Sequence, residues 1–329
     1  MGYLKKILDL ILSIKNPPFF LYHTFHYLNI FVPKWLARSI CETNRRANTG
    51  AINFETYDGS GQLVHPDITY FHDNYWIVAT PYPYGMEEYE NPSIYRGKSL
   101  YDMKPVFSPI VKQSKHTQGC HLSDPCIANN GKELYCFYRE SERIKGGKEK
   151  NTLLVIRYDE EHNIWTEPKE IISSEDDALL SPAFLFDGGG TCHMYYVSRV
   201  NGQFSLVHSV LTESIKVFKS KIIEVEGIPA GFNLWHIGIV YKNLRDKQRV
   251  DTDLLEGLFL LKSKDKKFKL FVSESKGNAE SWKLAEEITI PADMVNWISF
   301  YYKSCFIPGK SQLLLSCADT KRRYMLFQK

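Results

Sequence analysis

Apolar and aromatic residues fall in short runs along the chain, each bounded by Asn, Asp, Gly or Pro, a pattern of strands and tight turns. Five of the runs share a plan. "HPDITYFHDNYWIVATPYP" starts at His65, "HLSDPCIANNGKELYCFYRES" at His121 and "LLSPAFLFDGGGTCHMYYVSR" at Leu179. "LWHIGIVYKN" starts at Leu234 and continues after a polar insertion as "LEGLFLLKSKD"; "WISFYYKSCFIPGKSQLLLSCADTKR" starts at Trp297. Each has a polar or small opening, an apolar strand, a turn at Asn, Asp or Gly, and a second strand rich in Tyr, Phe and Leu, which is the pattern of a β-hairpin. The spacing is close to regular: Asp67 to Asp124 is 57 residues, Asp124 to Ser181 is 57, Ser181 to His236 is 55, and His236 to Ser299 is 63. Further strand patterns lie between, in "NTLLVIRYDEEHNIWTEPKEII", "FSLVHSVLTESIKVFKSKII" and "FKLFVSESKGNAESWKLAEEIT". Each interval therefore has room for about four strands, the content of one propeller blade.

Five such units predict an all-β chain: a five-bladed β-propeller over residues 49–329, with a helical N-terminal extension over residues 1–48. The last unit ends in "RYMLFQK", one strand short, and "GAINFETYD", residues 50–58, is placed to supply that strand and close the ring. A β-sandwich is the alternative, and it does not account for the near-constant interval. In a propeller the innermost strands begin beside the axis, so Asp67, Asp124, Ser181, His236 and Ser299 are expected around one pocket.

The extension carries Leu4, Ile7, Leu8, Ile11 and Ile14 at helical spacing, with Lys5, Lys6 and Asp9 between them. The apolar run is shorter than the roughly 20 residues that span a bilayer, and no small-residue cleavage site follows it. Two readings stay open. One is a helix packed on the main domain; the other is an amphipathic segment, within residues 1–45, on a membrane surface with Lys5, Lys6, Lys15, Lys34 and Arg38 at the lipid head groups. The second draws on the aromatic density of Phe19, Phe20, Tyr22, Phe25, Tyr27, Phe31 and Trp35.

At 329 residues and 43% hydrophobic content the chain can bury a large core. Its 41 basic and 38 acidic residues leave a net charge of +3, which implies no general attraction to nucleic acid. Seven cysteines, an odd number at irregular spacing with no CxxC pair, fit a reducing compartment. The expected location is cytoplasmic, including peripheral attachment at the inner face of a membrane. Cys136, Cys192 and Cys317 sit in strand patterns and read as small buried hydrophobes.

Two carboxylates across an aromatic-lined pocket suit glycosidic hydrolysis, one as proton donor and the other acting on water or on the sugar. The bland reading of a single Asp-Pro is a turn dipeptide. Tyr82, Tyr84 and Trp235 offer flat faces for sugar rings, and His65, Asn91, Arg139 and His236 offer donors. Arg139 has two readings, a clamp for a carboxylate or phosphate on the ligand and an ion pair with Asp124. The histidines at 116, 121, 162, 193 and 208 show no ligand spacing, so neither a metal nor a cofactor is expected. "FDGGGT" is a hairpin turn and not a phosphate loop, and "KSKDKKFK" is a solvated hairpin edge.

The motifs "VHPDITYF", "TPYP", "YENPSI", "SDP", "LSP", "WHI" and "YYKS" resemble those of a branch of the propeller glycosidases, glycoside hydrolase family 43 and its relatives, found in bacterial and phage proteins. The likeness covers residues 50–329. It implies a carbohydrate ligand, Asp67 as general base, and Asp124 as the carboxylate that tunes the proton donor and positions the substrate. It also implies a Glu-Gly-Pro at the start of the third blade, where this chain has Leu180-Ser181-Pro182. Glu90 and Glu140 are the candidates to replace that acid, Glu90 being preferred because its long aromatic loop leaves the first blade near the pocket mouth. Some relatives hold an ion in the axial channel, near the place expected for His236. Three further functions compete with hydrolysis of a bacterial poly- or oligosaccharide: a non-catalytic glycan-binding propeller, a membrane-associated enzyme of surface-polysaccharide assembly or modification, and a scaffold for protein partners.

Overall fold

The computed structural model describes residues 16–28, 30–45, 51–108, 120–144, 147–242, 254–275, 281–292, 294 and 297–329. The helical pattern of Leu4 to Ile14, with Lys5, Lys6 and Lys15, lies outside the described residues. Two helices come first, α1 (Pro17–Tyr27) and α2 (Lys34–Arg45), and the described residues after them are strands and turns, with two short 3₁₀ helices, Pro83–Gly85 and Glu87–Tyr89. α1 opens on Pro17 and Pro18, at the end of a helix where the missing N–H has no partner to lose.

After a short β1 (Ala51–Ile52), the strands form successive antiparallel meanders. The first is β2 (Leu63–Phe71), β3 (Asn74–Pro81), β4 (Ser93–Gly97) and β5 (Lys104–Phe107), paired in that order. Its first turn places His72 and Asp73 both at positive φ, the twist that a two-residue hairpin needs. The second is β6 (Cys120–Asn129), β7 (Leu134–Arg143), β8 (Glu149–Asp159), the short β9 (Ile164–Trp165) and β10 (Lys169–Ser174), with β9 and β10 both on β8. The third is β11 (Leu180–Phe186), β12 (Cys192–Val200), β13 (Gln203–Leu211) and β14 (Val217–Glu226). The fourth is β15 (Phe232–Tyr241), β16 (Leu255–Ser263), β17 (Phe268–Ser275) and β18 (Ser281–Glu287); a short parallel pairing of β14 with β18 joins these two meanders into one eight-stranded sheet.

The remaining strands, β19 (Ile298–Tyr301), β20 (Cys305–Phe306), β21 (Leu313–Asp319) and β22 (Tyr324–Gln328), make a sheet whose outer strand comes from the other end of the chain. Ala51 pairs with Phe327 and Ile52 with Leu326, so the segment before the first repeat completes the last one.

Successive meanders pack face to face. Among the described residues, apolar clusters join the first to the second around Trp76 and Tyr138, and the second to the third around Phe137 and Phe184. Others join the third to the fourth around Tyr195 and Trp282, the fourth to the last around Leu258 and Tyr301, and the last to the first around Phe54 and Leu314. The inner strands follow the same circuit: β2 packs on β6, β6 on β11, β11 on β15, β15 on β20 and β20 on β2. Gly238 marks one of these approaches, because a Cβ there would lie 2.7 Å from the Ser304 carbonyl oxygen.

The extension is partly docked. Phe19 and Tyr22 of α1 are buried against Tyr84, Met86 and Tyr89 of the loop after β3, and the Val32 N–H donates to the Tyr89 hydroxyl at 3.0 Å. Tyr27, Leu28, Ile30 and Trp35 stay exposed. Lys34 and Arg38, expected at lipid head groups, both reach Glu55. No helix among the described residues is long and apolar enough to cross a membrane.

Candidate functional site

Four of the five inner strands carry an irregularity near their start, and that irregularity builds the site. The ladder of β2 with β3 slips between Val64 and Asp67, that of β6 with β7 between Ser123 and Cys126, and that of β11 with β12 between Leu180 and Ala183. The residues squeezed out are His65-Pro66, Asp124-Pro125 and Ser181-Pro182. Proline has no N–H for the ladder, so an X-Pro pair suits a bulge. The residue before it stands at φ 53° in His65, 52° in Asp124 and 48° in Ser181, a left-handed backbone that non-glycine residues adopt rarely and often at functional sites. In β15 the slip falls between Leu234 and His236. Such bulges re-aim side chains, here toward the axis.

His65 therefore occupies in the first meander the position that Asp124 occupies in the second. Asp67, two residues on, accepts the Ile127 N–H on Oδ2 at 2.8 Å and has Cys126 and Lys303 beside it. Burial pushes its carboxyl above the ordinary range, and the positive Lys303 opposes that shift. Ser299, taken by the interval to face the axis, is exposed; the last meander instead contributes Tyr302 and Lys303. Aligning the prolines rather than the acids gives the observed register.

Asp124 is fully buried at the centre. Its Oδ2 accepts Arg139 Nε at 3.0 Å, while Oδ1 stands 3.5 Å from His65 Nε2 and 3.3 Å from His236 Nδ1. Burial alone would raise its pKa, but the neighbouring His65 and the Arg139 guanidinium hold it well below the usual carboxylate range. Arg139 spends its other nitrogens on Asn151 Oδ1 at 2.7 Å and Ser123 Oγ at 2.8 Å. Of its two readings, the structure shows the ion pair with Asp124. His65 and His236 are pushed toward the neutral form, chiefly by burial and against the pull of Asp124. Their rings lie 4.8 Å apart, and Tyr302 packs on both at 5.2 and 4.8 Å.

Glu90 enters from the loop after β3. Its carbonyl accepts the Leu122 N–H at 3.2 Å, pinning the loop to β6, and Tyr57 donates to the Tyr89 carbonyl beside it at 2.6 Å. Burial, reinforced by the negative Asp124, raises the Glu90 pKa well above its ordinary value. Tyr82 belongs to the same neighbourhood: its ring meets Tyr324 at 4.9 Å, and Tyr302 and Glu90 are close enough to push its phenol upward after burial has done so. Tyr84 faces the other way, buried under α1, and offers no face to a sugar. Trp235 is covered by Lys262, whose Nζ sits 3.5 Å from the ring centre, so this lysine belongs to the site rather than to a solvated edge.

Ser181 is committed to the backbone. Its hydroxyl donates to the Ile237 carbonyl at 3.1 Å and accepts the Ile237 N–H at 3.0 Å, tying β11 to β15 where the third-meander acid was missed. Glu140 follows Arg139 on β7, pairs with Leu122 of β6 and has Glu142 and Lys150 as its charged neighbours.

No protein-family model and no curated protein matches the chain. Solved structures do. An α-L-arabinanase of Cellvibrio cellulosa aligns over 82% of this chain and 90% of its own at 15% identity, with a TM-score of 0.55. A xylan β-1,4-xylosidase of Bacillus halodurans aligns over 86% of this chain and 53% of its own at 12% identity, with a TM-score of 0.60. A thermostable family-43 glycoside hydrolase aligns over 81% and 88% at 11% identity, with a TM-score of 0.53. What they share is the fold. The chain has the β-propeller architecture of the family-43 glycoside hydrolases, as the motif resemblance implied.

Within that architecture, buried polar atoms with no hydrogen-bond partner among the described residues include His65 Nε2, Asp124 Oδ1, both ring nitrogens of His236 and the neighbouring Trp235 Nε1, and, in the loop after β3, Glu90 Oε2 and both amide atoms of Asn91. Sequence reasoning named all of these residues. It missed Thr80, Ser123, Asn151, Tyr302 and Lys303, which orient or enclose them.

Proposed function

We propose that the chain is a five-bladed propeller that binds a bacterial poly- or oligosaccharide at its axis and acts on it as a glycosidase. The observation that carries this reading is the concentration of unpartnered buried hydrogen-bonding groups among aromatic rings. Buried polar groups are nearly always satisfied, and a sugar offers hydroxyls to the polar atoms and a C–H face to Tyr82. The five meanders and the circuit of their inner strands support the blade count.

Glu90 and Asp124 form the acid pair. Their environments push the two carboxyls apart, Glu90 toward the protonated form and Asp124 toward the ionised one, which is how such pairs divide donor and charged roles. Glu90 is the proton donor to the leaving oxygen and Asp124 the charge that keeps its proton in place. The base role that the resemblance gave to Asp67 finds less support, since that carboxylate is engaged by Ile127. Glu90→Gln should lower turnover about 100-fold or more, the scale of a general acid, with glycan affinity retained. Wild-type turnover should fall as pH rises through the raised pKa of Glu90, because the donor is then deprotonated. A glycan library screened for binding and for product release checks both; turnover in Glu90→Gln equal to wild type removes the assignment.

The commitment of Ser181 to Ile237 favours a second reading, binding without cleavage. Affinity for a glycan with no product after long incubation would select it.

A further inference from the structure

The turn between α1 and α2 is apolar where connections are usually polar. It reads Tyr27-Leu28-Asn29-Ile30-Phe31-Val32-Pro33, and Trp35 follows in the first turn of α2. Backbone hydrogen bonds close it: the Leu28 N–H donates to the Thr24 carbonyl and the Ile30 N–H to the Phe25 carbonyl, both at 3.1 Å. Phe31 packs on Tyr89 at 4.6 Å and Val32 is buried, whereas Tyr27 is 56% exposed, Leu28 64%, Ile30 48% and Trp35 72%. Phe20, also exposed, stands two helical turns before Tyr27, so both lie on the side of α1 that turns away from buried Phe19 and Tyr22. Among the described residues, five of the twelve exposed large hydrophobic side chains fall between Phe20 and Trp35, and Trp35 is the one exposed tryptophan. Apolar side chains scattered singly over a surface need no explanation, but such a concentration marks a contact site.

Charge decides what covers it. Residues 1–40 hold five Lys or Arg and one Asp, while the rest of the chain holds 36 basic and 37 acidic residues, so the excess positive charge belongs to the segment that contains this turn. Lys34 and Arg38 share the single carboxylate of Glu55, at 3.5 and 2.5 Å, and all three are about half exposed, which leaves one positive charge over. Arg322, from the turn before β22, sits 5.0 Å from the Phe19 ring at the start of α1. Glu88, a carboxylate that reaches α1, is engaged by His26. A second copy of the chain would need no such excess of charge. An anionic lipid surface uses both features: its interface takes leucine and isoleucine, seats tyrosine and tryptophan by their amphipathic rings, and draws cations to the head groups.

We propose that the α1–α2 turn is a membrane-surface contact, in which Tyr27, Leu28, Ile30 and Trp35 enter the interface of an anionic bilayer and Lys34, Arg38 and Arg322 face its head groups. The contact is peripheral, since no helix among the described residues is long and apolar enough to cross a membrane. Sequence pattern alone left lipid and protein packing as rivals over the whole extension. Burial now gives Phe19, Tyr22 and Val32 to the protein and leaves the turn for the lipid. The contact stands apart from the glycosidase reading, because vesicle binding is measured with no sugar present.

The test is co-sedimentation of the full-length protein with vesicles of phosphatidylcholine alone and of phosphatidylcholine mixed with phosphatidylglycerol. Binding to the anionic vesicles is expected, falling steeply with added salt, and little to phosphatidylcholine alone. Leu28→Ser combined with Trp35→Ser should weaken it about 10-fold or more, since each removes an apolar side chain from the interface. Phe218→Ser, at an equally exposed side chain on β14, should leave binding unchanged. Vesicles brominated on their acyl chains should quench the tryptophan fluorescence of the wild type, and Trp35→Phe should lose that quenching while still sedimenting. Thermal melts show whether the double serine variant folds; if it does not, the quenching in Trp35→Phe decides. A wild type that stays in the supernatant with anionic vesicles overturns the proposal, as does undiminished binding by the folded serine variant, which would assign the contact to residues 1–15, or quenching that persists in Trp35→Phe. Sedimentation velocity without lipid addresses the rival occupant: a dimer that the serine variant splits, together with no vesicle binding by the wild type, gives the turn to a second copy of the chain.

Discussion

At the scale of single residues, Asp124 and Arg139 show how a charge is kept at the centre of a sheet protein. Asp124 is fully enclosed and Arg139 is 8% exposed, so neither ion is solvated by bulk water. Removing one partner from such a pair strands the other and typically costs about 3–5 kcal/mol, while replacing both with apolar residues is often neutral. Asp124→Asn should therefore lower the urea midpoint substantially, by an amount corresponding to about 3 kcal/mol or more, because an amide cannot neutralise Arg139. Asp124→Leu combined with Arg139→Met should recover most of that stability while abolishing the function of the site. Equal loss in the single and double variants would mean that Asn151, Ser123 and the imidazoles depend on the charges as well. The residue scale is also where the sequence was least legible. Asp-Pro at 124–125 was visible as a candidate, but only the slip of each ladder shows that His65, and not Asp67, shares its position.

At the scale of elements, the loop from Tyr82 to Asn91 links the extension to the chemistry. It carries Glu90 on one side and packs Tyr84, Met86 and Tyr89 under α1 on the other, so the helices act as a splint for the proposed donor. Tyr89→Phe removes the hydroxyl that takes the buried Val32 N–H, and a stranded buried donor costs roughly 1–3 kcal/mol. The expected result is faster proteolytic nicking of residues 16–45 with little change in the global melting temperature, read by limited digestion and mass spectrometry. If nicking is unchanged, burial of Phe19 and Tyr22 alone holds α1 in place. The hairpins were legible because their turn residues and period-two patterning act locally. The docking of α1 was legible only as one of two readings, since aromatic residues serve a membrane surface and a protein core equally well. Here one face is buried, and Trp35, Leu28 and Tyr27 remain in solvent.

At the scale of the whole molecule, the fold follows from repetition, and its weakest joint is where the repetition runs out. Each meander buries its faces against its neighbours, so stability is shared around the circuit and depends on closure. The near-constant interval made this legible, and "RYMLFQK" exposed the gap that β1 fills. Closure is thin, because β1 offers only Ala51 and Ile52 to β22. Most of the apolar joint comes from Ile52 and Phe54, both buried beside Leu314 and Leu326. Ile52→Ala and Phe54→Ala each create a cavity there, and losses of about 2–5 kcal/mol are usual for such truncations. A seam between chain ends has a further signature. When it opens, the first and last meanders separate from each other while the intervening interfaces can persist, so unfolding should lose two-state character. Phe54→Ala should thus split a single calorimetric transition or broaden it, with amides of β1, β21 and β22 exchanging before those of β12 and β13. The equivalent cavity at Phe184, between the second and third meanders, should lower the melting temperature and keep one sharp transition. Similar broadening in both variants would place the cooperative unit in each pair of meanders rather than in the closed ring.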